Sequence, residues 1–297
     1  MLAGLGSLAP EARRETGARI NDAKSRIAAA IEARVASAAS GSAPAALDVT
    51  LPGRLRARGS AHPIAIVTED FVGAFVAMGF ERAEGTEAET DEFNFLALNT
   101  PADHPARDMQ ATYYLSEARL LRSHTSPIWA RAVRERTPPF RLGGPGRCFR
   151  RDAADASHSP CFHQVEGALV DDRCSFADLK GVLDAFMKGF FGPDTATRFE
   201  PRYFPFTEPS AELLVRCVAC RGAGCRMCAR SGWLEIGGCG MIHPNILAHG
   251  SPGCRAAGVR GFAFGIGVER LAMLKYGLTD MRWLYDNDLR VLGRVQS

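Results

Sequence analysis

Lysine is scarce in this 297-residue chain: only Lys24, Lys180, Lys188 and Lys275 stand among 36 basic residues. Nearly all its positive charge therefore sits on planar guanidinium forks, which grip phosphate or carboxylate at two points. Long apolar runs are also lacking. No stretch of 18 or more apolar residues occurs, and the apolar start breaks at Glu11, Arg13, Arg14 and Glu15. Neither a helical membrane span nor a secretory leader is expected, and a cytoplasmic location is. A charge excess is missing as well. With 36 basic against 33 acidic residues the net charge is +3, too small to argue for a polyanionic partner. What is abundant is apolar side chain, 46% of the residues, which excludes a disordered chain and suits one large domain or two small ones. No internal repeat is present.

Residues 11 to 38 read as one Ala-rich helix with Ile20, Ile27, Ile31 and Val35 in a thin stripe. The Ser/Ala/Gly/Pro stretch that follows places the best domain boundary between about 37 and 60. Thr68-Glu69-Asp70 looks like a helix start, with Phe71, Val72, Phe75 and Met78 as its buried face and Gly79 as its end. Ser175 opens a second helix bearing Phe176, Leu179, Leu183, Phe186 and Met187. Segments 93 to 98, 111 to 115, 161 to 170, 198 to 206 and 233 to 242 are rich in β-branched and aromatic residues and read as strands. Regular helical crossovers are absent, so the expected class is α+β, a mainly antiparallel sheet carrying helices.

Cysteine is plentiful and clustered. Cys217, Cys220, Cys225 and Cys228 form a CxxC-x4-CxxC pattern, whose two-residue spacers bring each thiol pair to one side of a tight turn. Four thiolates suit tetrahedral Zn²⁺, and a closed site of this kind holds structure instead of performing chemistry. Free or redox-active cysteines and an iron–sulfur centre are the other readings of the pattern. Cys148, Cys161, Cys174, Cys239 and Cys254 lack such spacing and read as small core residues.

Two segments carry chemistry. In a strand at 162 to 167, period two puts Gln164 and Glu166 on one face, where an amide and a carboxylate can read an ammonium group. Arg150 precedes the long turn before it and can grip a carboxylate or phosphate. Farther on, Gly265-Ile266-Gly267-Val268-Glu269-Arg270 combines glycines that permit close approach with an arginine in the first turn of a helix. That placement has the wrong sign for the helix dipole and calls for an anionic partner.

These segments resemble motifs 2 and 3 of the class II aminoacyl-tRNA synthetases, and specifically the bacterial phenylalanyl-tRNA synthetase alpha subunits. The likeness runs through His104-Pro105-Ala106-Arg107-Asp108, His124-Thr125-Ser126-Pro127, Tyr203-Phe204-Pro205-Phe206-Thr207-Glu208-Pro209-Ser210 and Gly232-Trp233-Leu234-Glu235-Ile236, and covers about 50 to 293. It implies an antiparallel sheet flanked by helices in a catalytic domain at 50–297. It also implies a helical arm at 1–45, the remnant of a tRNA-binding coiled coil, short by roughly fifty residues as from a misassigned start. The implied activity makes phenylalanyl-adenylate from L-phenylalanine and ATP with Mg²⁺, then esterifies tRNA(Phe), in an α2β2 assembly with a beta subunit. Carried over, Arg150 holds the amino-acid carboxylate and α-phosphate, and Arg270 clamps the leaving pyrophosphate. Phe162 stacks on adenine with Arg270 on its other face, and His158 lies near the phosphates. His124, Ser126, Gln164 and Glu166 position the ammonium; Phe204 and Phe206 form an edge-to-face wall for the phenyl ring, with Ala263 at its far end. Glu208 is a candidate Mg²⁺ ligand. The segment around 217–228 resembles an insertion found in a subset of the family.

The sequence also departs from the pattern. Trp129 stands where glutamine is usual; Asn94-Phe95-Leu96, Ala111-Thr112-Tyr113 and Gly85-Thr86-Glu87 differ from the common forms. A relative that activates another amino acid, and a non-catalytic RNA-binding or regulatory protein that keeps the fold, are the alternatives.

Overall fold

A computed structural model describes residues 9–40, 50, 53, 59, 61–109 and 111–295. The chain divides into two units, Met1–Gly59 and Ser60–Ser297. The first holds helix α1 (Pro10–Ser40), which carries Ile27, Ile31 and Val35 exposed along one side. Most of the boundary expected between 37 and 60 lies outside the described residues.

The second unit opens with α2 (Pro63–Ala77). It starts five residues before the Thr68 signal, because His62 Nδ1 caps the Ile64 N–H and Pro63 occupies the first turn, where its missing N–H costs nothing. Gly79, at φ +85°, ends the turn as expected. There follow β1 (Glu81–Arg82), β2 (Ala88–Thr90), α3 (Asp91–Asn94), α4 (Ala106–Met109), β3 (Tyr113–Tyr114), β4 (Arg119–Leu121) and α5 (Pro127–Glu135). The strand expected at 93 to 98 is instead α3 plus a 3₁₀ turn at Leu96–Leu98, since the Thr90 hydroxyl caps Phe93 N–H and commits the chain to helix.

The remaining elements are β5 (Phe140–Phe149), β6 (Cys161–Asp171), α6 (Phe176–Phe191), β7 (Thr197–Phe204), β8 (Thr207–Arg216), β9 (Trp233–Ile242), α7 (Pro244–Ala248), β10 (Arg260–Gly267), α8 (Val268–Tyr276) and α9 (Leu289–Arg294). Seven strands form one sheet in the order β1-β5-β6-β10-β9-β8-β7. Only the β1–β5 pair is parallel, so the sheet is mainly antiparallel and the α+β expectation holds. Strands β2, β4 and β3 make a small second sheet.

Each face of the large sheet buries its own core. On one side α2, α6 and α8 pack Phe71, Phe75 and Phe186 against Phe264 of β10, with Phe71 and Phe186 centroids 4.3 Å apart. On the other, α5 packs Ile128, Trp129 and Val133 over Leu142, Ala168 and Ala263. Because side chains alternate along a strand, β6 gives Val165 to the first core while Gln164 and Glu166 point to the second face. There the packing stops short of the sheet's middle and leaves a cleft.

Candidate active site

The cleft has a volume of about 860 Å³ and is floored by β6, β10 and β9. Glycine makes the room. At Gly265 a Cβ would sit 3.0 Å from Glu166 Cγ, and at Gly238 one would sit 2.8 Å from the Phe204 ring, so both strands can lie under large side chains only as glycine.

Around this floor the structure gathers nearly every residue expected from the sequence. His124, Ser126, Arg150, His158, Phe162, Gln164, Glu166, Phe204, Phe206, Ala263 and Arg270 all line the cleft. Glu166 is buried, 7% exposed. The Ser126 hydroxyl donates to its Oε2 at 2.6 Å and the Trp129 indole N–H donates to the same oxygen at 3.0 Å. Burial pushes the Glu166 carboxyl up from the usual carboxylate range, and these two donors oppose the shift. Beside it, the Cys148 thiol donates to Gln164 Oε1 at 3.3 Å, which leaves the amide nitrogen to face outward. Burial raises the Cys148 thiol, so it stays a donor. His124 is buried, and that burial, aided by the charge of Arg150, holds its imidazole down to about 3 and hence neutral.

Phe204 and Phe206 flank the type of turn that brings β7 into β8, their centroids 5.7 Å apart and their planes within 12°. The pair is stacked, not edge-to-face, and Asn99 Nδ2 donates to Pro205 C=O at 2.7 Å in the turn between the two rings.

Arg150 donates from Nε to Ser123 C=O at 3.0 Å, and its guanidinium lies 4.9 Å over the Phe162 ring. Arg270 does not share that ring. It leaves the first turn of α8 and donates to Glu235 C=O at 3.0 Å. His158 sits exposed in the β5–β6 loop, where Asp155 Oδ2 lies 3.0 Å from its Nδ1.

Glu208 is the exception. Thr207 lines the cleft, but Glu208, next on β8, points the other way into a separate recess with Phe176, Met241 and Arg255. It is not placed to touch a metal riding on ATP in the cleft. The acidic side chains that line the cleft beside Glu166 are Asp152, Glu212, Glu235 and Glu269. Glu269 escaped the sequence reading: its Oε1 accepts from the His163 backbone N–H at 2.8 Å and from Tyr285 OH at 2.5 Å, and lies 2.7 Å from His163 Nδ1. The Glu-Arg pair after Gly267 was its only signal, since His163 is 106 residues away.

The four cysteines lie apart from the cleft, in the loop joining β8 to β9. Their sulfurs fall within 4.8 Å of one another, with separations of 3.7 and 3.8 Å between several pairs. That is too far for disulfides and matches the edge of about 3.8 Å that a tetrahedron with ~2.3 Å zinc–sulfur bonds requires. Backbone N–H groups of Gly224, Cys225 and Gly232 point at the sulfurs at 3.1 to 3.3 Å, as thiolate ligands need. Among the described residues this is the one cluster of three or more metal-ligating side chains.

Comparison with known proteins agrees with this geometry. The family described as "tRNA synthetases class II core domain (F)" matches residues 46–295, and "Aminoacyl tRNA synthetase class II, N-terminal domain" matches 1–41. The phenylalanine–tRNA ligase alpha subunit of Citrifermentans bemidjiense is 51% identical over 98% of this chain and 87% of its own length. That of Thioalkalivibrio sulfidiphilus is 52% identical over the same shares. In fold the chain is similar to pyrrolysyl-tRNA synthetase from Desulfitobacterium hafniense, with a TM-score of 0.57 at 17% identity over 78% of this chain and 76% of that one. The chain belongs to the class II tRNA synthetases, within the family of phenylalanine–tRNA ligase alpha subunits.

Proposed function

We propose that this chain is the catalytic alpha subunit of a phenylalanine–tRNA ligase, which activates L-phenylalanine with ATP and transfers it to tRNA(Phe). The observation that carries the reading is a single cleft lined by a buried carboxylate, a stacked phenylalanine pair and the arginines Arg150 and Arg270. Glu166 and Gln164 receive the ammonium group, and Phe204, Phe206 and Ala263 enclose the phenyl ring. A tyrosine hydroxyl would enter that apolar slot without a partner, which costs affinity.

With the ammonium and ring held, the substrate carboxylate is aimed at the α-phosphorus of ATP. Its oxygen bonds to phosphorus as the bond to the bridging pyrophosphate oxygen breaks, so no protein nucleophile is needed. Arg150 stabilises charge on the α-phosphate and carboxylate, and Arg270, released from Glu235, meets the departing pyrophosphate. The ribose hydroxyl of the tRNA terminus then attacks the activated carbonyl carbon and AMP leaves. Mg²⁺ bound with ATP supplies charge neutralisation on the phosphates; Glu212 and Glu235 are the carboxylates on hand to hold it. The Cys217, Cys220, Cys225 and Cys228 set holds a structural zinc. A beta subunit completes an α2β2 enzyme in the cytoplasm, consistent with the absence, among the described residues, of any helix able to cross a membrane.

Amino-acid-dependent ATP–pyrophosphate exchange by the chain with its beta partner tests the proposal. Phenylalanine should be preferred over tyrosine by about 100-fold in kcat/KM, on the order of what an unpaired buried hydroxyl costs in a hydrophobic slot, and tryptophan and leucine, which differ from it in shape, should also be poorer substrates. A preference for another amino acid would point to a relative of different specificity. No exchange at all would leave a binding protein on the synthetase fold.

A further inference from the structure

The carboxylate of Glu166 is not free to turn. Ser126 and Trp129 both donate to Oε2, at 2.6 and 3.0 Å, which leaves Oε1, on the Gly265 side of the cleft, for a ligand. Ser126 occupies the N-cap position of α5 and Trp129 lies in its first turn, so one helix end delivers both donors. Trp129 is 1% exposed and packed in the core beneath α5 with Ile128 and Val133, which fixes the direction of its N–H. An indole N–H only donates. It can bond an ionised carboxylate, but it cannot accept from a protonated one, nor compete with Glu166 for the substrate ammonium. The glutamine usual at this position in the resembling motif could do either.

We infer that Trp129 is a positioning residue for amino-acid recognition: its indole N–H holds the Glu166 carboxylate ionised and turned so that Oε1 meets the substrate ammonium. The inference rests on the reading of Glu166 as the ammonium site. Burial works against the charge that this role needs, since it raises the Glu166 carboxyl; Ser126 and Trp129 are the leading donors that lower it, with Thr125 beside them. The ionisable groups around it do not substitute for them. His124, ahead of α5, is neutral; Cys148 on β5 is held protonated by burial. Arg122 and Arg150 act at longer range on both of those groups, as does Glu269 of α8 on Cys148. Removing the Trp129 donor therefore moves Glu166 further upward, and its anionic form is lost at a higher pH as the solution is acidified.

The test is the pH profile of pyrophosphate exchange by the alpha–beta enzyme from about pH 5 to 8.5, with W129F, W129Q and E166Q compared to wild type. W129F keeps an aromatic filler without the donor. It should raise KM for phenylalanine roughly tenfold, as the loss of one hydrogen bond to a charged group does, with KM for ATP within about twofold. Its acid limb of kcat/KM should move up by about one pH unit, the equivalent of that tenfold change. W129Q restores an N–H donor and should recover most of both effects; if W129F does not fold, W129M against W129Q gives the same comparison. An unmoved acid limb, an equal rise in KM for ATP, or a loss that W129Q does not recover overturns the inference. E166Q separates the two levels: an unchanged phenylalanine KM in E166Q defeats the ammonium reading itself, whereas a large rise in E166Q beside a silent W129F defeats only the role of Trp129.

Discussion

His124 shows how a single side chain in the cleft registers on the whole protein. Its imidazole is held down to about 3 by burial first and by the charge of Arg150 second. An unfolded chain takes up a proton on this residue as pH falls through about 6.5, while the folded chain does not until about 3. Stability from the neutral imidazole is therefore complete above the unfolded value and drains away on acidification, at roughly 1.4 kcal/mol per pH unit between the two. Replacing His124 by Asn removes the titrating group. Denaturant unfolding at about pH 6 and pH 4.5 should then show a smaller loss in the variant by roughly 1 to 2 kcal/mol, because the carboxylates common to both proteins cancel. Equal losses would mean that His124 is charged or solvated in the folded state. None of this was visible in the sequence beyond the His-Thr-Ser-Pro motif, since its surroundings come from distant segments, with the Phe206 ring 6.2 Å away and Arg150 acting on it. The same holds for Glu269, whose hydrogen bonds with His163 and Tyr285 depend on α8 meeting β6 and the segment after α8. Period two did suffice for Gln164 and Glu166, because a strand's alternation is written residue by residue.

Among the elements, legibility followed the local signal: a capping motif or a run of β-branched and aromatic residues was read, as in the strand at 233 to 242. Helix α6 begins at Phe176 with Ser175 and Asp178 in a reciprocal capping box, as its sequence announces. Strands β5, β8 and β10 were not among the expected strands; β5 and β10 carry Gly143-Gly144-Pro145-Gly146 and Gly261-Phe262-Ala263-Phe264-Gly265-Ile266-Gly267, which lack a strand's run of β-branched residues. Their glycines answer to tertiary neighbours: a Cβ at Gly146 would lie 1.9 Å from Arg122 Nη2, and one at Gly144 would lie 2.5 Å from Ala83 C=O. The cysteine loop is the opposite case, an element whose spacing in sequence foretold its geometry. It closes the β8–β9 hairpin through a Cys217 N–H to Gly232 C=O bond of 2.9 Å, and its Cys217 and Cys228 side chains join the main core. Reduced protein purified without chelator should carry one zinc per chain, and cobalt in its place should give the absorption of a tetrahedral tetrathiolate. Chelation or Cys225→Ser should lower the melting temperature by several degrees, because a ligand that binds only the folded state stabilises it by mass action. Substoichiometric metal in fully reduced protein would leave the cluster as four free thiols.

At the scale of the molecule, a net charge of +3 gave no case for a nucleic acid partner, yet the charge is not spread evenly. Helix α1 alone carries Arg13, Arg14, Arg19, Lys24, Arg26 and Arg34 against Glu11, Glu15, Asp22 and Glu32, so two of the three net charges lie on a tenth of the chain. Its apolar stripe of Ile27, Ile31 and Val35 is more than half exposed, so within its own unit the helix contributes little to a core. The cleft proposed for adenylation lies wholly in the other unit, Ser60–Ser297. If the arm serves tRNA, the two half-reactions should part when residues 1–45 are deleted from the chain in complex with its beta partner. Pyrophosphate exchange should stay within about twofold, because no group that binds ATP or phenylalanine is lost. Aminoacylation should fall through a higher KM for tRNA, and the steepness of its decline with salt should lessen, since fewer phosphates are neutralised on binding. A deletion that cuts exchange and aminoacylation equally would show instead that the arm supports the catalytic unit itself, and one that spares both would leave the charge on α1 without a role in tRNA binding.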